Sequence, residues 1–196
     1  MKRPILLFLL ALTLTACGRS APTSFYLLES GVTAMQVDSM PNKTLRVAQV
    51  ETAGYLQRNN IVSRVQGQSK LILADFHLWA EPVGAGVRRV VEETLLQPML
   101  ESGINLLPSA TEERGDFTLL LDVQRLDGNF NEKAVLESWW TLLNRDDKPV
   151  ARGMYSAEKM VNGTTYNDLV AVESGLVRDF GKYLAQKLPP SMNGRK

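Results

Sequence analysis

The sequence predicts an α+β fold: a largely antiparallel β-sheet with two amphipathic helices packed on one face. Three observations predict it. Val83 to Glu101 and Tyr166 to Leu188 each place apolar residues at helical spacing. Between them lie strand-length runs joined by short turn-forming segments, as in hairpin-connected strands. The order strand, strand, helix, strands, helix segregates the two kinds of element, which favours helices gathered against an antiparallel sheet.

The elements follow in order. Ser24 to Glu29 reads as a first strand, and Gly31 to Lys43, with Pro41 and weak periodicity, as a loop. Thr44 to Glu51 alternates Leu45, Val47 and Gln49 against Arg46, Ala48 and Val50, a strand pattern. Asn60 to Val65 and Lys70 to Leu73 read as short strands around the turn Gly67-Gln68-Ser69. In the first helix Val83, Val87, Val90, Val91, Leu95 and Met99 share one stripe, and Pro98 is expected to kink the helix or end it early. Asp116 to Leu126 gathers Phe117, Leu119, Leu121 and Val123 on one face. Lys133 to Asn144 and Lys148 to Val161 follow, separated by Asp127-Gly128-Asn129 and Arg145-Asp146-Asp147, both good turn chemistry. The second helix aligns Leu169, Val172, Leu176, Val177, Phe180, Leu184 and Leu188. Pro189 and Pro190 are expected to stop it, leaving a frayed tail over 191–196. No internal repeat or low-complexity segment is visible.

The 196 residues suit one ordinary domain plus a targeting segment. Lys2 and Arg3 precede an almost wholly apolar run from Pro4 to Leu14 that is about half the roughly 20 residues a spanning helix needs. The run therefore reads as a signal-peptide core. It ends at Leu14-Thr15-Ala16-Cys17, which looks like a lipobox: small residues before the cut, and a thiol to receive lipid. The expected division is a cleaved signal peptide over 1–16, a lipidated tether over 17–23 and a single domain over 24–190. Cys17 is the one cysteine, so the domain has no disulfide and must be stabilised by burial. One acyl chain alone binds a membrane weakly. A bacterial lipoprotein cysteine carries two or three, palmitate among them, and stays attached. Gly18 follows it instead of Asp; by resemblance to the sorting rules of enteric-type bacteria, that favours the outer membrane, facing the periplasm. With Lys2 and Arg3 gone, 20 basic side chains face 21 acidic ones. That balance gives no electrostatic case for nucleic acid, nor for a polybasic membrane patch.

Several residues invite a functional reading beside a structural one. Tyr55-Leu56-Gln57-Arg58 sits in a connection: Tyr55 and Arg58 are types enriched at interface hot spots, while Tyr55 and Leu56 could equally plug the end of the core. Trp79 could offer an apolar face to a neighbour or to lipid, or pack with Phe76 under the first helix, whose first turn Pro82 positions. Trp139 and Trp140 are adjacent in a strand, so they must face opposite sides of the sheet; one can be core while the other is open or covered by a partner. His77 is the single histidine, and no cysteine or histidine spacing accompanies it, so no metal is expected. Glu92-Glu93 reads as surface charge. There is no phosphate loop, nucleophile elbow or zinc signature. No catalytic residue and no cofactor is expected.

Three stretches together carry a resemblance: Gly54 to Val62, then Phe76-His77-Leu78-Trp79-Ala80-Glu81-Pro82, then Ala134-Val135-Leu136 followed by Trp139-Trp140. With Tyr26-Leu27-Leu28 and the lipobox, the chain resembles the PqiC-type lipoproteins, the ABC-type transport auxiliary lipoprotein family, from about residue 24 to residue 188. The resemblance implies a transport component and not an enzyme. It implies partnership with an inner-membrane permease and a periplasm-spanning protein with MCE domains, in moving lipids between membranes and supporting envelope integrity. It also implies a ring-like homo-oligomer at the outer-membrane end. A standalone carrier for one lipid or small ligand, and an envelope hydrolase with dispersed site residues, are the rival readings.

Overall fold

The computed structural model describes residues 21–33, 41–111 and 113–192. The expected signal peptide, Cys17, most of the tether and the end of the tail lie outside the described residues. The largest unit is a meander of three long antiparallel strands, β7 (Phe117–Asp127), β8 (Lys133–Asn144) and β9 (Pro149–Met160). The β8–β9 turn closes where Asn144 Oδ1 accepts the Asp146 and Lys148 N–H groups, both at 3.0 Å. The side-chain amide there takes the place of a backbone acceptor.

Two helices cover one face of this sheet. α1 (Val83–Glu101) buries every member of its expected stripe, from Val83 to Met99. α2 (Tyr166–Met192) buries Leu169, Leu176, Val177, Phe180, Leu184 and Leu188, while Val172 is only partly buried. α2 begins at a reciprocal cap: the Thr165 N–H donates to Asp168 Oδ2 at 3.0 Å and the Asp168 N–H to Thr165 Oγ1 at 3.3 Å. Opposite the helices stand Leu119, Leu121, Val123, Leu136, Trp140 and Leu142, all buried. The fold is α+β.

The remaining strands depart from a purely antiparallel plan. β2 (Lys43–Val47) lies between β7 and β6 (Ile104–Leu106) and runs parallel to both, and the two-residue β3 (Glu51–Thr52) also joins β7 in parallel. The order of the main path is β6-β2-β7-β8-β9. Parallel neighbours need a long crossover, and the segment from residue 48 to residue 103 provides it. Within that segment β4 (Asn60–Arg64) and β5 (Leu71–Trp79) form a hairpin, and β1 (Ser24–Tyr26) adds to β5 in parallel, giving a second sheet of order β1-β5-β4. α1 then returns through Gly103, whose φ of +74° suits a residue without a side chain, straight into β6.

Four expectations are corrected. β5 extends through Phe76 to Trp79, so those residues are strand and not a bare lead-in to α1. β6 is a strand the sequence does not announce. Pro98 does not end α1, because it stands in the last turn, where a missing N–H deprives only one carbonyl; its own carbonyl accepts Ser102 Oγ at 2.8 Å. Pro189 and Pro190 do not stop α2, which runs to Met192. Leu188 and Met192, one turn apart, are both buried, and the Met192 carbonyl accepts Lys43 Nζ at 3.2 Å. Burial there outweighs the lost backbone bonds. Among the described residues no helix is long and apolar enough to cross a membrane.

Candidate functional site: the open face of the large sheet

The face of the large sheet turned away from the helices carries the most conspicuous surface. Pairing sets Asp122, Trp139 and Met154 side by side across β7, β8 and β9, and Leu120, Thr141 and Arg152 in the next row. Directly opposed residues on antiparallel strands share a face. Trp139 is 50% exposed, Met154 46% and Leu120 39%. Val150 and Met160 on β9 are open as well. An open groove of about 570 Å³ beside Trp139 is walled by Ala48, Gln49, Glu51 and Thr141. A row of large apolar groups in water, rimmed by polar ones, is the composition of a protein contact surface.

Trp140 points the other way, as the adjacent pair requires. Its indole is buried with its edge to Tyr183, ring centroids 6.3 Å apart. Gly153 stands directly across from it, and a Cβ there would come within 3.0 Å of the indole nitrogen. The glycine leaves the space that the ring occupies.

The other expected residues are dispersed. Tyr55, in a 3-10 turn over Gly54–Gln57, is partly buried, and its hydroxyl donates to Asp127 Oδ2 at 2.8 Å. Burial first, and the Asp127 charge second, push the Tyr55 phenol far above its usual range and keep it a donor. Leu56 fills the core, while Arg58 is exposed. Trp79 is buried, whereas Phe76, grouped with it in the sequence reading as packing under the helix, is exposed. His77 accepts or donates at Nδ1 with the Tyr26 hydroxyl at 2.9 Å and stacks on Tyr166 at 4.0 Å. Glu92 is corrected from surface charge to a half-buried carboxyl, its pKa raised chiefly by burial. Among the described residues no group of three or more His, Cys, Asp or Glu could hold a metal ion.

A buried polar knot was missed altogether. Asp127, fully buried, accepts Arg64 Nε at 3.0 Å, Arg125 Nε at 3.0 Å and the Tyr55 hydroxyl. It ties β4 and the 3-10 turn to the end of β7. Glu173 of α2 is also buried, with Oε2 unpartnered. Burial first, and Asp127 second, raise its pKa well above the ordinary value. Sealed from solvent and tied to structure, these carboxyls offer no surface for substrate.

Residues 26–185 match the family of ABC-type transport auxiliary lipoprotein components. Residues 1–17 match the prokaryotic membrane lipoprotein lipid attachment site. The chain is similar to a crystal structure of an uncharacterised protein, with 20% identity, a TM-score of 0.71 and coverage of 86% of this chain and 99% of the other. It is also similar to a protein of Xanthomonas campestris, with 19% identity, a TM-score of 0.66 and coverage of 87% and 98%. Both likenesses concern the fold. No curated protein matches this chain.

Proposed function

Because this chain belongs to the family of ABC-type transport auxiliary lipoprotein components, we propose that it is the outer-membrane subunit of a lipid-moving MCE transport system. Acyl chains on Cys17 hold it to the membrane, facing the periplasm. Its protein surface docks a periplasm-spanning MCE-domain protein that an inner-membrane permease serves. Copies confined to one membrane layer meet at high effective concentration, so weak contacts suffice for a ring-like homo-oligomer. The part is structural and not catalytic.

One observation carries this reading: the open apolar patch of Leu120, Trp139 and Met154 over two adjacent cross-strand rows, a contact-type surface on the longest paired strands among the described residues. Docking there would remove the patch from water at roughly 25 cal/mol per Å² of apolar surface. Photocrosslinking tests it, with a photoreactive residue in place of Trp139 in intact cells. The expected adduct contains the MCE-domain protein. An adduct with a second copy alone would reassign this face to the ring and sink the docking assignment.

A further inference from the structure

Among the described residues, the large apolar side chains left open to solvent fall into two groups. Five of them, Leu120, Trp139, Val150, Met154 and Met160, belong to the large sheet. The other five, Phe25, Leu27, Val32, Ile72 and Phe76, lie on β1, on the segment after it and on β5. Exposed apolar residues scattered singly need no explanation, but two segregated groups, one on the large sheet and one at and beside the smaller sheet, do.

Three of the second group, Phe25, Leu27 and Phe76, lie near the point where the chain arrives from its N-terminus. β1 and β5 run parallel, with Ser24 beside His77 and Phe25 beside Leu78. Carried one residue back, that register brings Thr23 level with Phe76. Phe25, 65% exposed, and Phe76, 42% exposed, therefore bracket the entry, and Leu27 follows two residues on. Seven residue steps separate Cys17 from Ser24. At about 3.3–3.6 Å per step, a fully extended tether reaches at most about 25 Å. With acyl chains at Cys17 in a bilayer, the Phe25 end of the domain cannot leave the membrane surface by more than that.

We propose that Phe25, Leu27 and Phe76 form a bilayer-contact face, resting in the boundary between headgroups and acyl chains and fixing the orientation of the domain. The inference rests on the lipid anchor at Cys17 in the reading above. The anchor makes the contact intramolecular, so a patch too small to bind a membrane by itself is held against one. Its chemistry is apolar, so a bilayer of neutral phosphatidylcholine suffices and added salt has little effect.

The test uses the full lipidated protein in phosphatidylcholine vesicles with brominated acyl chains. Phe25→Cys and Met154→Cys variants each carry an environment-sensitive fluorophore; Cys17, being acylated, takes no label. Both positions are exposed, so neither label disturbs the core. The residue-25 probe should be quenched several-fold more than the residue-154 probe, with a blue-shifted emission that persists in high salt. A protein that floats with the vesicles while its residue-25 probe is quenched no more than the residue-154 probe overturns the contact face and leaves the anchor standing. A protein that does not float overturns both.

Discussion

Glu173 is a carboxyl whose proton the fold binds more tightly than the unfolded chain does, chiefly because it is buried. Buried on α2 beside Asp127, it holds its proton well past the ordinary carboxyl value of 4.5. Unfolded, the same group ionises as the pH climbs through 4.5. Folding therefore retains a proton that the unfolded chain releases, and stability falls as pH rises toward the folded-state pKa. The slope is about 1.4 kcal/mol per pH unit over that window, and below it the contribution vanishes. Glu173→Gln removes the slope. In urea titrations the variant should be more stable than the parent at pH 8 and equal to it at pH 4; equal stability at both pH values would refute the assignment. The sequence held a signal for this residue. Glu173 comes four after Leu169 and three before Leu176, squarely on the apolar stripe of the helix. Asp127 held none, because Asp-Gly-Asn reads as a turn, and its partners Arg64 and Tyr55 are more than sixty positions away.

At the scale of elements, β8 shows what alternation can say. The adjacent tryptophans had to split between faces, and the strand does split them, with Trp140 in the core and Trp139 in water. The strand's own alternation decides which goes inward: Trp140 shares its face with Ala134, Leu136 and Leu142, and Trp139 shares its face with Lys133, Glu137 and Thr141. The asymmetry is measurable. Trp140→Ala should cost about 3–5 kcal/mol, the range for deleting a buried aromatic. Trp139→Ala should fall within about 0.5 kcal/mol of the parent, as surface changes do. Denaturant midpoints of the two variants decide it, and comparable losses would mean that Trp139 is packed. The helices and the long meander were legible because each carries its own period over many residues. β6, three residues long, and the parallel partners of β2 were not, since they are specified by contacts across the chain. The prolines misled because they were weighed by local propensity alone; at Leu188 and Met192 tertiary burial decided the outcome.

At the scale of the molecule, folding and attachment are separable. The described domain begins a short tether beyond Cys17 and completes its core without any thiol. Cys17→Ala should give a folded protein with unchanged circular dichroism and denaturant midpoint that leaves the membrane fraction for the soluble fraction. Recovery of the variant with the membranes would show that something other than acylation holds it there.

The parallel placement of β2 has a consequence for how the chain is made. Leu45 pairs with Leu106 on one side and with Phe117 on the other, so the first strand of the large sheet waits for about seventy further residues before both of its neighbours exist. Closing loops of that length precedes any reward from pairing, which makes such topologies slow to form. For a lipoprotein that must thread through an export channel while still extended, the delay is protective. The large sheet has no complete framework until most of the polypeptide is on the far side.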